Sequence, residues 1–500
     1  MALVWRAGHW VGFFYCGFAL LSGCHVPQPW QPAALAVRSK PPAAHTRPFG
    51  HEQPAATVPQ TTNPIQRTSA RLPVVDTLEA QGEQDIVLGD RQELSLELLV
   101  DQALVRNASV QSMVEAWRAA AQRYPQVVSL EDPMFMAMVA PASLSSNQVN
   151  SGYVLQGSQK LPWPGKRAAR GRTARAEADA AFHDVRDARL QVVQAAQLAY
   201  YEYYLVHRSI ALSRQNLRVL DEFRAAAEAK YETNQVTQQD VLQADVELAE
   251  VQRRGLELRR MEHVAVARIN TLLRRDPQAP LPNPPQELQK ATPAPPPSML
   301  LQVAVQQRPD LAAIAARVRA EEATLNLAQK QYYPDLDVFG RYDSFWQPAS
   351  TQSDLRGQVG VNVNVPTYPR RLHAAVNEAK ARLAQRRAEY RQLATDIQFE
   401  VQSAYEQLEE SRQAVDLYNQ RFLPAAEQNA TAAADNYNVG KLNFLGLTQA
   451  QRQLIEIREK QQTAVAGYHQ RRADLERMLG GPIPEMSQAE HVPAPTAVAP

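Results

Sequence analysis

Apolar positions along this chain follow two different periods. From Val192 they run through Ala196, Ala199, Tyr203, Val206, Ile210, Ser213, Leu217 and Leu220, in alternating steps of four and three. A second run of the same kind holds Ile397, Val401, Ala404, Leu408, Ser411, Val415, Tyr418 and Phe422. That alternation predicts a coiled-coil seam, with a serine on the seam in both runs. Between Arg172 and Arg254 there is neither glycine nor proline. Sixty-odd uninterrupted helical residues reach roughly 90–100 Å, far beyond the span of a compact bundle.

Four short segments alternate with a period of two instead. In Gln358–Val365, Val359, Val361, Val363 and Val365 fall on one face, and Gln358, Asn362 and Asn364 on the other. Its expected partner is Asp335–Phe345, where Leu336, Val338 and Tyr342 alternate with Asp337 and Arg341. The first half of the chain offers Met134–Val139 and Tyr153–Leu161. Apolar-out, polar-in alternation is the pattern of a transmembrane β-barrel strand, although a soluble sheet with one wet face has it too. Trp163, Trp346, Tyr342 and Tyr368 stand near the strand ends, where an aromatic girdle would lie at the headgroup level. Four strands cannot close a barrel, and open edges in lipid leave unpaired backbone groups. Strands in a membrane therefore require oligomerisation, and three copies would supply about twelve.

The body of the chain reads as two copies offset by about two hundred residues. Ala103-Leu104 with Asn107–Val110 corresponds to Ala304-Val305 with Arg308–Leu311, and Leu161–Arg167 to Val365–Arg371. Tyr231–Asn234 corresponds to Tyr437–Gly440, and Gln243-Ala244 with Leu248 to Gln449-Ala450 with Leu454. The expected division is a first repeat over 93–276, with strands within about 134–161 and helices within about 166–275. A Pro-rich linker follows over 277–297. The second repeat covers 298–480, with strands within about 335–365 and helices within about 370–479, and a disordered tail occupies 481–500. The fold class is thus mainly α with a small β part.

Composition sharpens this in three places. The chain has 20 Gly and 35 Pro, the prolines concentrated before the body, between the copies and in the tail. A formal charge of +1 selects neither nucleic acid nor an acidic partner. The only two cysteines are Cys16 and Cys24, so a disulfide framework and a thiolate metal site in the body are excluded. Residues 1–23 read as a signal peptide: Arg6 and His9 precede an apolar run from Trp10 to Leu21, too short to span a bilayer. The run ends in Leu21-Ser22-Gly23-Cys24, which resembles a bacterial lipoprotein cleavage box with Cys24 as the lipid attachment point. His25 is not the aspartate that commonly retains such lipoproteins in the inner membrane. Residues 24–92, rich in Pro, Ala, Thr and Gln, read as an extended tether.

Lipobox, duplicated strand-pair-plus-long-helix unit and Tyr-x-x-Asn/Gly turns together resemble the TolC-like outer-membrane efflux family. Leu161–Lys166 and Glu131-Asp132-Pro133-Met134 are similar to the heavy-metal-efflux lipoprotein branch, and Arg308–Leu311 and Tyr333–Leu336 look typical of the family. The resemblance covers about residues 93–480. It implies a homotrimer with a twelve-stranded outer-membrane barrel, a periplasmic α-barrel of coiled-coil helices, a periplasmic adaptor and an inner-membrane pump. It implies a passive duct for heavy-metal cations or small toxic compounds. A polypeptide-secretion duct and a lipid-tethered periplasmic coiled coil without a pore are the competing readings.

In similar proteins the turns at Tyr231–Asn234 and Tyr437–Gly440 form the periplasmic tip where the adaptor docks. Asn234 and Gly440 can take the left-handed conformation of a tight helix turn. Asp240, the first acid after one turn, and Lys441, after the other, are the candidate aperture gate. Met134, Met136 and Met138 invite a soft-metal reading, but their shared strand face argues for lipid contact or core packing. Lys166, Arg167, Arg170 and Arg172 read as a surface basic patch or as a collar at the membrane interface. No catalytic constellation, metal site or cofactor other than the Cys24 lipid is expected, and no enzyme.

Overall fold

A computed structural model describes residues 93–141, 152–343 and 357–484. Cys24, Trp346 and the end of the expected Asp335–Phe345 strand lie outside the described residues. The first half runs through α1 (Leu96–Arg106), α2 (Ala108–Ala121), α3 (Arg123–Val128), β1 (Met134–Val139), β2 (Tyr153–Leu161), α4 (Lys166–Glu232) and α5 (Gln238–Leu272). The second half runs through α6 (Pro297–Gln307), α7 (Pro309–Lys330), β3 (Asp335–Asp343), β4 (Gly357–Asn364), α8 (Pro369–Leu417), α9 (Leu423–Asn438) and α10 (Phe444–Leu479). A π-helical turn, Tyr418–Phe422, joins α8 to α9.

Local chemistry sets the breaks. The Asn107 side chain accepts from the Ser109 N–H at 2.9 Å and starts α2 one residue after α1 ends. Arg308 is extended because Pro309 follows it, which separates α6 from α7 at the corresponding place. Gly480 closes α10 at φ +81°, and a Cβ there would lie 2.9 Å from the Arg308 Cα.

α4 is a single helix of 67 residues, about 100 Å long. Its seam is buried from Val192 through Ala196, Ala199, Tyr203 and Val206 to Ile210 and again at Leu220, with Ser213 and Leu217 half-buried between them. Around its middle, Leu99, Ala103 and Val110 of α1 and α2 join Ile269 of α5 in one apolar cluster. A second cluster gathers Leu300 and Ala304 of α6, Ile397, Val401 and Leu408 of α8, and Tyr468, Leu475 and Leu479 of α10. Ile397 and Val401 are fully buried there, each contributing about 1.5–3 kcal/mol.

The second seam departs from its pattern at its end. Tyr418 and Phe422 fall in the π-helical turn, their rings 5.2 Å apart, and Phe422 is 44% exposed. Pro424 is the cause. It lacks an N–H and its ring would press on the carbonyl four residues back. The helix widens instead, and the Leu423 N–H reaches five residues back to the Tyr418 carbonyl.

Residues 277–296 contain no regular element, yet they are strapped to the helices. Tyr203 and Tyr204 of α4 donate to the carbonyls of Pro282 and Gln286 at 3.1 and 3.4 Å. Tyr468 of α10 donates to the Thr292 carbonyl at 2.9 Å and accepts from its N–H at 3.0 Å. His469 Nε2 donates to the Gln289 carbonyl at 3.0 Å, and burial lowers its pKa to about 4.

The strands form one antiparallel sheet in the order β1-β2-β3-β4, which places β2 and β3, from different halves, side by side. Leu155 lies opposite Tyr342 and Val338 opposite Val361. Among the described residues β1 and β4 each have a neighbour on one side only.

Candidate functional site

The two regions that carry candidate chemistry are the paired helix turns and the sheet. In the first turn the Asn234 N–H donates to the Tyr231 carbonyl at 2.9 Å, and Asn234 sits at φ +57°. In the second the Gly440 N–H donates to the Tyr437 carbonyl at 3.2 Å, and Gly440 sits at φ +75°. Nothing lies within 4 Å of a Cβ at Gly440, so backbone conformation alone favours glycine there.

The two turns meet. Ala227 and Ala244 of the first hairpin pack with Ala433, Tyr437, Phe444 and Leu447 of the second. Tyr437 is 4% exposed, its ring edge-on to Phe444 at 5.8 Å. Burial, and then the nearby Asp240 carboxylate, push its phenol pKa up. Lys230 Nζ lies 3.9 Å from the Tyr437 ring centre and donates to the Tyr437 carbonyl at 2.7 Å. Tyr231, by contrast, is exposed, as is Lys441.

Asp240 is engaged elsewhere than with Lys441. Its carboxylate accepts from the Thr237 N–H at 3.2 Å, and the Thr237 hydroxyl accepts from the Asp240 N–H, a reciprocal capping box that starts α5. No Asp240–Lys441 ion pair occurs among the described residues. Asp245 is held by Arg224 at 2.6 Å. Sequence reasoning missed Lys230, and it missed the polar contacts further up the hairpins. Glu247, buried between Ala244 and Leu248, is bound by Arg452 of α10 with Nε to Oε2 at 2.8 Å. Buried Gln451 donates to buried Asn216 at 3.2 Å. A carboxylate on an otherwise apolar helix face was the available signal for Glu247.

At the other end of α4 the two halves are locked together. Lys166, 5% exposed, donates to the Asp335 carboxylate and to the Tyr333 carbonyl, each at 2.8 Å. The Trp163 N–H donates to the same carboxylate at 2.8 Å, and the Trp163 and Tyr333 rings stack at 5.4 Å. Partial burial raises the Asp335 pKa, but those hydrogen bonds outweigh it and hold the carboxyl below its usual range. Arg167 donates to the Val128 carbonyl through Nε at 2.8 Å, and Arg172 to Asn326 at 3.1 Å. The expected basic patch or collar is thus in large part an internal joint.

Strand register sorts the sheet into two faces, because residues directly opposite each other share a face. One face carries Phe135, Leu155, Val338, Val359, Val361 and Val363. Phe135 and Val359 are 85% and 86% exposed, so this apolar face is uncovered in the single chain. The other carries Gln156, Ser158, Asp337, Arg341, Asn362 and Asn364. Met134, Met136 and Met138 are opposite Ser158, Gln156 and Val154. They are exposed and lie on the face opposite to that of Val359, Val361 and Val363, so they are not part of an apolar core within the single chain. A strand read alone has no sign for its faces; pairing supplies it.

Among the described residues no group of three or more His, Cys, Asp or Glu could hold a metal ion, and no helix is long and apolar enough to cross a membrane.

Residues 300–481 match the family model described as outer membrane efflux protein. The cobalt-zinc-cadmium resistance protein CzcC of Cupriavidus metallidurans is 28% identical over 196 residues, 38% of this chain and 44% of CzcC. The chain thus aligns with less than half the length of that relative. In fold it is similar to the outer-membrane channel OprN, with a TM-score of 0.66 at 21% identity over 77% of this chain and 90% of that one. It is also similar to CusC, solved in work on folding and transmembrane channel formation, with a TM-score of 0.67 at 17% identity over 78% and 92%.

Proposed function

We propose, for a chain whose residues 300–481 match the outer membrane efflux protein family, the function of a passive trimeric duct from periplasm to exterior. The match to that family supports a place at the outer membrane. The observation that carries the rest is the sheet. Among the described residues one face is apolar and uncovered, the other carries most of the polar side chains, and both edge strands have a neighbour on one side only. Unpaired strand edges cost several kcal/mol per group in hydrocarbon. Repetition around a threefold axis, with β1 of one copy beside β4 of the next, would close twelve strands into a barrel. The apolar face would then meet lipid and the polar face a water-filled lumen.

In this reading the two halves are a duplication, and the hairpins form a periplasmic α-barrel. The joined turns near Tyr231, Asn234, Tyr437 and Gly440 are the end that meets an adaptor and, through it, an inner-membrane pump. Cys24 carries the lipid anchor. The likeness to CzcC supports heavy-metal cations as cargo. No catalytic role is proposed.

The test is made on protein extracted from membranes in detergent. A trimer by light scattering and discrete conductance in planar bilayers are expected; a monodisperse monomer without conductance overturns the duct. The Cys24→Ala chain should lose palmitate labelling, and unchanged labelling removes the anchor from Cys24. A secretion duct would also be a trimeric pore, so cells lacking the protein should become sensitive to metal salts while still secreting polypeptides.

A further inference from the structure

The methionines of β1 are unexplained by the duct. Across the strands they meet Ser158, Gln156 and Val154, of which only Val154 is apolar and buried, so packing accounts for Met138 at most, and in the duct reading lipid lies against the opposite face. We propose that Met134, Met136 and Met138 form a thioether ladder that binds a soft monovalent cation, Cu(I) or Ag(I), on the wet face of the sheet.

Three observations converge. The strand register places all three side chains on the face of Gln156, Ser158 and Arg341. They are 63%, 43% and 51% exposed, so their sulfurs are accessible to a hydrated ion. Successive side chains on one strand face have Cα atoms about 6.7 Å apart, twice the rise per residue. Methionine has three rotatable bonds beyond its Cα, so neighbouring sulfurs can close on one ion from that spacing. Met136 is the shared partner of the other two, which gives two overlapping sites along the strand.

Donor type decides the ion. Thioether sulfur suits Cu(I), whereas Co(II) and Zn(II) favour imidazole, carboxylate and thiolate. The residues directly opposite, Ser158, Gln156 and Val154, are neutral, so they offer a divalent ion no compensating charge. A neutral, two- or three-sulfur site on an open face also releases its ion readily, which suits transit rather than storage.

As a statement about cargo the proposal rests on the duct reading; as a statement about binding it rests on the register alone. The experiment is an Ag(I) titration of the detergent-solubilised full-length chain by calorimetry, with X-ray absorption at the silver edge. Wild type is compared with the Met134→Leu/Met136→Leu/Met138→Leu chain, which keeps side-chain volume. Both carry the same cysteines, so the difference reports on the ladder. The expected result is loss of at least one Ag(I) per chain and of its sulfur-only shell in the triple variant. Met136→Leu alone, should the triple variant fold poorly, is expected to weaken binding about tenfold or more. Zn(II) in excess should not displace the ion. Equal titrations of wild type and a folded variant, or displacement by Zn(II), overturn the ladder. A chain that binds Ag(I) but forms no trimer or pore keeps the ladder and loses the duct; a conducting trimer with equal titrations does the reverse.

Discussion

Lys230 reaches across from the end of α4 to cover Tyr437 at the end of α9, its ammonium 3.9 Å from the ring centre and 2.7 Å from the Tyr437 carbonyl oxygen. One side chain therefore ties the turn of the first hairpin to that of the second. A half-buried ammonium over a buried ring is worth about 1 kcal/mol, and the hydrogen bond adds about as much again. Lys230→Met keeps the stem and removes the charge. Hydrogen exchange at amides of residues 225–245 and 433–450 should quicken roughly five- to thirtyfold, with the middle of α4 unaffected. Unchanged protection at both turns would show that apolar packing around Phe444 suffices.

Asp240 is the proposed gate residue, and its cap role must be separated from its charge. Asp240→Ala removes both, at a cost of about 1 kcal/mol to the start of α5. Asp240→Asn keeps an acceptor for the Thr237 N–H. Both are expected to raise single-channel conductance of the reconstituted protein, with Asp245→Ala, a residue held by Arg224, as the comparison. Conductance raised by Asp240→Ala alone would assign the effect to the helix cap. No change in any of them would move the gate to Leu442 and Phe444.

Lys166 should be the most sensitive charged position at the strand end of α4. Its replacement by Met leaves Asp335, the Trp163 N–H and the Tyr333 carbonyl around a lost ammonium. Removing one member of a largely buried pair costs about 2 kcal/mol or more, with Asp335 partly solvated. The melting temperature should fall more than for Arg172→Met, whose partner Asn326 is neutral. The Asp335 pKa is lowered on folding, so its contribution is present above the unfolded value of 3.8 and is lost as pH falls through the folded one.

His469 gives the interior strap an acid limit. Its pKa falls from 6.5 to about 4 through burial, with Arg472 adding to the shift and the Gln289 carbonyl opposing it. Between those values the unfolded chain binds the proton and the folded chain does not. Stability is therefore full above pH 6.5 and declines as pH falls toward 4, by on the order of 3 kcal/mol. A plot of melting temperature against pH should slope over that window, and His469→Gln should flatten it. An unchanged slope would assign the dependence to other groups.

The seam of α4 was readable because every position in it obeys one period over an unbroken helix. The second seam was readable only to Val415. Pro424 was in plain view, but counting steps of three and four gives no weight to a missing N–H two residues past the last step. Asn234 and Gly440 have the left-handed backbone that their residue types favour at a helix turn. Lys230 could not be read, since its partner lies 207 positions away and neither residue is unusual in its own helix. The Pro-rich stretch between the halves looked like a free connector by composition. The tyrosines and the histidine that hold it belong to distant helices and were read, where noticed, as seam residues.

The five-residue π-helical turn makes the two hairpins mechanically unequal. Lys166 and Lys230 stand at the two ends of one continuous α-helix, so a displacement at the sheet joint is carried to the turn as by a rigid beam. The outgoing arm of the other hairpin has a joint at Tyr418–Phe422, where one backbone hydrogen bond spans five residues instead of four and a proline follows two residues on. Bending stiffness is lowest there. Load applied at the turns would therefore be borne by the first hairpin and yielded to by the second, hinging at a point 15 to 19 residues before Tyr437 rather than along its whole length.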